Sequence, residues 1–353
     1  MKVHLLALPN VQTTKEYDLD GFCTMTMRFA KLLKGLGHFV YLYAGEENEA
    51  PCDELVTIVT KAEQQQYQGG MQYQHALIEA HNPLWGLANG RIATEIGKRK
   101  QPRDLICTIG GGSQGPAVVQ HPELMVVEYS IGYVGNYSPY RVFQSQAWKH
   151  LCYGRQSIDH VRFFDDVIPG FFEVEKFPVR EPEDYVCYVG RFVPRKGLSV
   201  VCDAARLAGV PLKLIGHGDP NLITYGENLG AIHEVERNEV MARAKALICP
   251  TLYIEPFGCI SPEAQMCGTP IISTDCGGFT ETVDHGYSGF RCNVLGEFVD
   301  AIKQVHTLDR AAIRQRAIEL YSLETAAIAY QAYFARLNTL WEKGWDTLEF
   351  QVQ

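Results

Sequence analysis

Short apolar runs that stop at a glycine or proline alternate with stretches of helical spacing along this chain. Residues 2–8, 38–44, 104–109, 124–128 and 163–168 read as buried strands in the first half. Residues 185–189, 212–215, 229–232, 246–249, 270–274 and 289–292 do so in the second. Helical spacing covers the residues from Gly21 to Leu36, then 61–81, 85–100, 140–153, 198–208 and 235–245, with a short helix near 281–284. Such alternation builds a parallel sheet with helices on its faces. It occurs twice in 353 residues, which predicts an α/β chain of two Rossmann-like domains. A charged, proline-punctuated link at 177–184 separates them. The text after Leu295 is mostly helical, and 321–341 is long enough to reach another domain. The expected division is 1–172, 173–320 and a returning C-terminal helix in 321–353.

Composition narrows the function classes. The formal net charge of -9 disfavours sequence-independent binding to a phosphate backbone, so no nucleic-acid partner is expected. Eleven cysteines are scattered without a C-x-x-C pair. Cys107, Cys187 and Cys249 lie inside apolar runs and read as small core residues. This suits a reducing compartment, and the usual zinc spacing is absent. The start is one lysine and a short apolar run halted by Pro9, a strand rather than a signal peptide. No apolar run approaches the ~20 residues of a membrane span. The expectation is a soluble cytoplasmic protein, with membrane-surface contact and a homodimer both left open.

Two loops carry the chemistry. Gly190-Arg191-Phe192-Val193-Pro194-Arg195-Lys196-Gly197 follows a predicted strand and precedes a helix, where strand ends face a ligand crevice. Arg191 offers a fork matched to phosphate oxygens and Lys196 a mobile point charge, which fits a pyrophosphate beside a helix start. Taken alone, it is equally a solvated basic loop. The second loop is Glu255-Pro256-Phe257-Gly258-Cys259-Ile260-Ser261-Pro262-Glu263, between two strand-like runs. Gly258 lets a phosphate approach the backbone, and the N–H groups of Gly258, Cys259 and Ile260 stand at a helix start. Glu255 and Glu263 would be repelled by a pyrophosphate, so they call for hydroxyl donors such as a sugar and a ribose. The plainer reading makes Glu263 a first-turn acid and Glu255 a loop charge.

Arg191, Lys196 and the pair Glu255/Glu263 resemble the donor-site motifs of the retaining glycosyltransferases of family four, which have the GT-B fold. The resemblance runs from about residue 185 to 292. It includes Gly216-His217-Gly218, Cys249-Pro250-Thr251, Glu255-Pro256-Phe257-Gly258, Glu263-Ala264, Gly268-Thr269-Pro270 and Gly277-Gly278. In the first half only the first strand, Gly21 and Gly37-His38 fit. The resemblance implies two domains facing across a cleft, with the first on the acceptor side and the second binding the nucleotide sugar. It implies that Arg191 and Lys196 hold the donor pyrophosphate, near Gly190 and Gly216. Glu255 and the backbone of Phe257, Gly258, Cys259 and Ile260 would contact the sugar and distal phosphate. Glu263 would bind the ribose, Ile232 would lie near the base, and Gly21 would let the first helix close over the sugar phosphate. The catalytic set is then Glu255, Arg191 and Lys196, and no metal is required.

The chain departs from that pattern twice. Asp20-Gly21 stands where many members have two glycines. The strand that often ends in a histidine near the sugar reads Val127-Glu128-Tyr129-Ser130, so Glu128, Tyr129 or Ser130 is the expected substitute on the sugar and acceptor side. Three rival signals remain. Residues 110–115 match G-x-G-x-x-G after a strand, but the space before Leu124 is too short for a crossover helix. Asp18-Leu19-Asp20 is a lone D-x-D. The loop with Tyr133, Gly135, Tyr137 and Tyr140 is either an acceptor-stacking surface or ordinary packing. The expected activity is metal-independent, retaining transfer of a hexosyl group of mannose or glucose type. The donor would be GDP-mannose or a UDP-hexose, and the acceptor a hydroxyl on a glycan or other molecule. A catalytically weak nucleotide-sugar binding protein and an NAD(P)-dependent oxidoreductase using residues 110–115 are the alternatives.

Overall fold

The computed structural model describes residues 1–69 and 82–343. The chain begins β1 (Lys2–Leu6), α1 (Gly21–Gly35), β2 (Phe39–Gly45), β3 (Glu54–Val59), α2 (Lys61–Gln68) and α3 (Pro83–Arg99). It continues through β4 (Leu105–Thr108), α4 (Gly115–Val118), β5 (Met125–Ile131), β6 (Tyr140–Phe143), α5 (Gln146–Arg155) and β7 (Asp165–Val167). Then come β8 (Val186–Val189), α6 (Leu198–Ala208), β9 (Leu212–Ile215), β10 (Glu227–Gly230), α7 (Glu234–Arg243), β11 (Leu247–Cys249) and α8 (Ile260–Met266). The last elements are β12 (Ile271–Thr274), α9 (Phe279–Thr282), β13 (Gly289–Cys292), α10 (Leu295–Gln304), α11 (Arg310–Tyr321) and α12 (Leu323–Lys343).

The strands form two all-parallel sheets. One has seven strands in the order β3-β2-β1-β4-β5-β6-β7, the other six in the order β10-β9-β8-β11-β12-β13. Each order reverses once, between β1 and β4 and between β8 and β11, and such reversals leave a crevice beyond the strands' carboxyl ends. The fold is α/β of GT-B type. Two compact units hold the sheets: Met1–Gln144 with Cys152–Ile168 and Ala326–Gln353, and Pro169–Thr325 with Ser145–Leu151.

Local chemistry explains the elements. The Asp20 carboxylate accepts the Cys23 N–H at 2.8 Å and caps α1. One face of α1 buries Met25, Phe29, Leu32 and Leu33, as the spacing predicts. Thr60 and Glu63 make a capping box at α2, and Asn82 caps α3 ahead of Pro83. Two assignments change. β3 is an additional strand, which Glu-Leu-Val-Thr-Ile-Val does not mark because it lacks apolar–polar alternation; it is the edge strand beside β2. The helix expected over 140–153 is a strand and then a helix, because Tyr140, Arg141, Val142 and Phe143 are all buried between β5 and β7. The expected helix beyond Gln68 lies outside the described residues, as does Trp345.

From Ala326 onward α12 belongs to the first unit. Tyr330 meets Phe29 edge-on at 4.9 Å, and Phe29 stacks on Tyr129 at 4.0 Å. The Tyr333 hydroxyl donates to the Phe164 carbonyl at 2.9 Å, and Arg336 pairs with Asp166 at 2.7 Å. Tyr330, Tyr333, Phe334 and Leu337 are buried, each contributing roughly 1.5–3 kcal/mol of apolar burial.

A buried ion pair, Arg141 with Asp165, joins β6 to β7. Arg141 also donates to Asn136 at 2.7 Å and Gln156 at 2.9 Å, and the Tyr153 hydroxyl donates to Asp165 at 2.7 Å. Removing one member leaves an uncompensated buried charge. Asp165→Ala is therefore expected to destabilise the chain by about 3–5 kcal/mol in denaturant unfolding. A change below about 1 kcal/mol, the value of a surface pair, contradicts this.

Candidate active site

The two loops singled out in the sequence leave β8 and β11, the strands that flank the reversal point of the second sheet. Their approach depends on Gly197. It has φ +74, and a Cβ there would meet the Pro250 carbonyl oxygen at 2.0 Å. No other residue tolerates both conditions. The Leu252 N–H donates to the Arg195 carbonyl at 2.8 Å, tying the loops together. On the far side the Gly278 N–H donates to the Glu255 carbonyl at 2.8 Å. A Cβ on Gly277 would fall 2.6 Å from the Glu255 nitrogen, so the turn after β12 presses on the backbone of Glu255.

This brings Lys196 and Glu255 together, Nζ to Oε2, at 2.7 Å. Burial pushes the Lys196 ammonium pKa down, but the charge of Glu255 and the hydrogen bond that Lys196 donates to it outweigh this, and the pKa lies above the ordinary lysine value. Lys196 Nζ also lies 5.1 Å from the centroid of the Tyr253 ring. Lys196 is therefore a fixed cation. Arg191 is exposed, and its guanidinium makes no hydrogen bond or ion pair among the described residues. Its carbonyl accepts the Tyr188 hydroxyl at 2.8 Å, which fixes the backbone beneath that free cation.

The other expected residues of this unit divide between site and scaffold. Gly190 and Gly216 touch through their backbones, since a Cβ on Gly216 would meet the Gly190 oxygen at 1.9 Å. Phe257 is 2% exposed and is a core anchor, edge-on to Tyr321 at 5.8 Å. Gly258 has φ +76, and Phe279 fills the place of a Cβ, so packing alone already requires a glycine. Cys259 and Ile260 form the turn into α8. Glu263 is buried and pairs with Arg237 of α7 at 3.2 Å. Ile232 lies just past β10, partly buried, ahead of α7. Ser145, at the foot of α5, donates its hydroxyl to the Pro256 carbonyl. Glu281 accepts the Gln146 and Ala147 N–H groups at 2.9 and 2.8 Å. Sequence reasoning missed Tyr253, Arg237, Ser145 and Glu281. Tyr253 sat between Leu252 and Ile254 as one more apolar residue, and nothing in the sequence ties the others to this loop.

The first unit changes the expectation for its sheet edge. Gly21 is exposed at the start of α1, with open space where a Cβ would stand. Glu128, Tyr129 and Ser130, expected to meet a sugar, are all buried. Tyr129 bonds to Thr26 through its hydroxyl at 3.1 Å, and Ser130 takes φ +51 at the β5 bulge. Glu128 accepts the Tyr137 and Ser138 N–H groups at 2.7 and 2.8 Å and the Tyr133 hydroxyl at 3.2 Å. It pins the aromatic loop instead of projecting from it. In residues 110–115 the side chain of Gln114 accepts the Ile109 and Gly110 N–H groups at 3.0 and 2.8 Å. Donors that a dinucleotide phosphate would need are thus taken, and only the four-residue α4 follows. Asp20 of the D-x-D is the cap of α1.

Residues 171–319 match the family described as Glycosyl transferases group 1. Over those residues the chain is similar to that family. A D-inositol 3-phosphate glycosyltransferase of Rhodococcus erythropolis is 34% identical over 129 residues, 30% of this chain and 29% of that protein. The chain therefore matches under a third of that relative's length. Among solved structures, AviGT4, a glycosyltransferase involved in avilamycin A biosynthesis, superposes with a TM-score of 0.70 at 18% identity, covering 96% of this chain and 98% of the other. Alr3699/HepE of Anabaena, solved in complex with UDP and glucose, gives 0.66 at 16%, covering 95% and 99%. These two likenesses concern the fold.

Burial raises the Glu128 carboxyl to about 7, against the pull of the Ser138, Tyr137 and Tyr133 hydrogen bonds. The folded chain keeps this proton to higher pH than the unfolded chain. Its contribution to stability is thus largest below about pH 4.5 and is lost as pH rises to about 7. Glu128→Gln is expected to flatten the stability profile across that window by at most about 3 kcal/mol. Unfolding curves at several pH values check this, and a variant profile parallel to the wild type contradicts it.

Proposed function

We propose that the chain transfers a hexosyl group from a nucleoside diphosphate sugar to a hydroxyl of a glycan or other acceptor, with retention at the anomeric carbon. The observation that carries this is the Lys196–Glu255 pair at the reversal point of the second sheet, beside the exposed Arg191. When the bond between the anomeric carbon and the donor phosphate breaks, negative charge develops on the departing diphosphate. Arg191 and Lys196 stabilise that charge, the usual dominant task of such a site, and leave none that calls for a metal. The anomeric carbon bonds to the acceptor oxygen on the same face, and the acceptor proton passes to the departing phosphate. Glu255 orients the sugar through its hydroxyls. Glu263, held by Arg237, receives the ribose hydroxyls, with the turn Gly258–Ile260 near the distal phosphate and Ile232 near the base. The donor is a UDP-hexose or GDP-mannose, and the UDP and glucose bound to Alr3699/HepE favour the first.

Lys196→Ala and Glu255→Gln are each expected to lower turnover by about 10²-fold or more, the scale for losing one preorganised charge at such a site. Near-normal unfolding curves should accompany that loss, and a chelator should leave wild-type transfer intact. Normal transfer in both variants removes the site assignment. An absolute requirement for a divalent ion overturns the metal-free mechanism.

A further inference from the structure

The backbone at Glu255 is held by a ring of hydrogen bonds that segments of the second unit close around it. Its own carbonyl accepts the Gly278 N–H at 2.8 Å, from the turn that opens α9. The next carbonyl, of Pro256, accepts the hydroxyl hydrogen of Ser145, the residue before α5. Glu281 of α9 completes the ring, because its carboxylate accepts the Gln146 and Ala147 N–H groups at 2.9 and 2.8 Å. Ser145 is 1% exposed, and its hydroxyl oxygen also accepts the Trp148 N–H at 3.0 Å. The hydroxyl is therefore fixed from both sides. Its oxygen caps α5, and its single hydrogen goes to Pro256.

We propose that Ser145 and Glu281 are positioning residues for the transfer, holding Glu255 where the sugar hydroxyls meet its carboxylate. The inference rests on the function proposed above. With two consecutive carbonyls tied, the peptide planes after Glu255 and after Pro256 cannot turn, and the direction of the Glu255 side chain is set before a ligand arrives. Glu281 holds α5 with a charge, since an anion at the first N–H groups of a helix gains from the helix dipole. Both residues act on Glu255 through the main chain. Misplacing an orienting group by about 1 Å is enough to cost ~10²-fold in rate. The diphosphate itself is met by Arg191 and Lys196 of the other loop, so binding and turnover have separable dependences.

The test is release of the nucleoside diphosphate from UDP-glucose and GDP-mannose with water as acceptor, alongside calorimetric titration of UDP and GDP, on the full chain and its variants. Ser145→Ala and Glu281→Ala are each expected to lower turnover of the donor that the wild type uses by about tenfold or more, with the affinity for the free diphosphate within about threefold of wild type. Asp309→Ala is the control for lost stability. It removes the cap of α11 in the same unit, where Asp309 accepts the Ala311 and Ala312 N–H groups at 2.9 and 3.1 Å, and is expected to keep wild-type turnover. In a Glu255→Gln background Ser145→Ala is expected to cost much less than tenfold, because the carboxylate it positions is gone. Wild-type turnover in either single variant, or a diphosphate affinity that falls as far as turnover does, overturns the positioning role and leaves the proposed function standing. A wild type that releases neither nucleotide overturns that function and this inference with it.

Discussion

The ion pair between Lys196 and Glu255 depends on nearly everything around it. Two opposite charges held at 2.7 Å in a partly buried place each offset much of the other's desolvation cost, and neither would sit there alone. The pair forms only because the loops after β8 and β11 touch, and they touch because residue 197 is a glycine against Pro250. The turn at Gly277 and Gly278 backs Glu255 from the third side. The parallel order of the second sheet places these three loops at one edge. The site is thus charge-compensated before any ligand arrives, and an anion that enters exchanges one partner of Lys196 for another.

Much of the second unit was legible in the sequence, for a physical reason. Its strands are short apolar runs between glycines and prolines, and Leu212–Ile215, Gly289–Cys292 and α6 fall where the pattern puts them. The two loops were legible too, because each follows a short apolar strand, and the structure brings Lys196 of one against Glu255 of the other. The partners were not. Arg237 reaches Glu263 from a helix whose sequence pattern gives no hint of that direction, and Tyr253 resembles its apolar neighbours until its contacts are seen. The first unit was harder. β3 is an edge strand without clean alternation, and the aromatic residues around β6 satisfy the helical period as well as the strand period.

The first unit also shows why residue type alone misplaces a function. Glu128 stands at the end of a central strand, where a ligand-facing acid is a reasonable expectation. Burial and three local donors make it the clamp of the loop from Tyr133 to Ser138 instead. Gln114 does the same to the glycine-rich turn by filling it with an amide of the chain itself. In both cases a polar group that the sequence offers to a ligand is used to satisfy the backbone, as buried polar groups generally must be.

The central claim is that the reversal point of the second sheet binds a nucleoside diphosphate. Titration calorimetry of the unmodified chain against UDP, GDP, NAD and NADP tests it most directly. The account predicts saturable one-site binding of a nucleoside diphosphate and none of NAD or NADP. Binding of NAD or NADP with no heat from either diphosphate would contradict it.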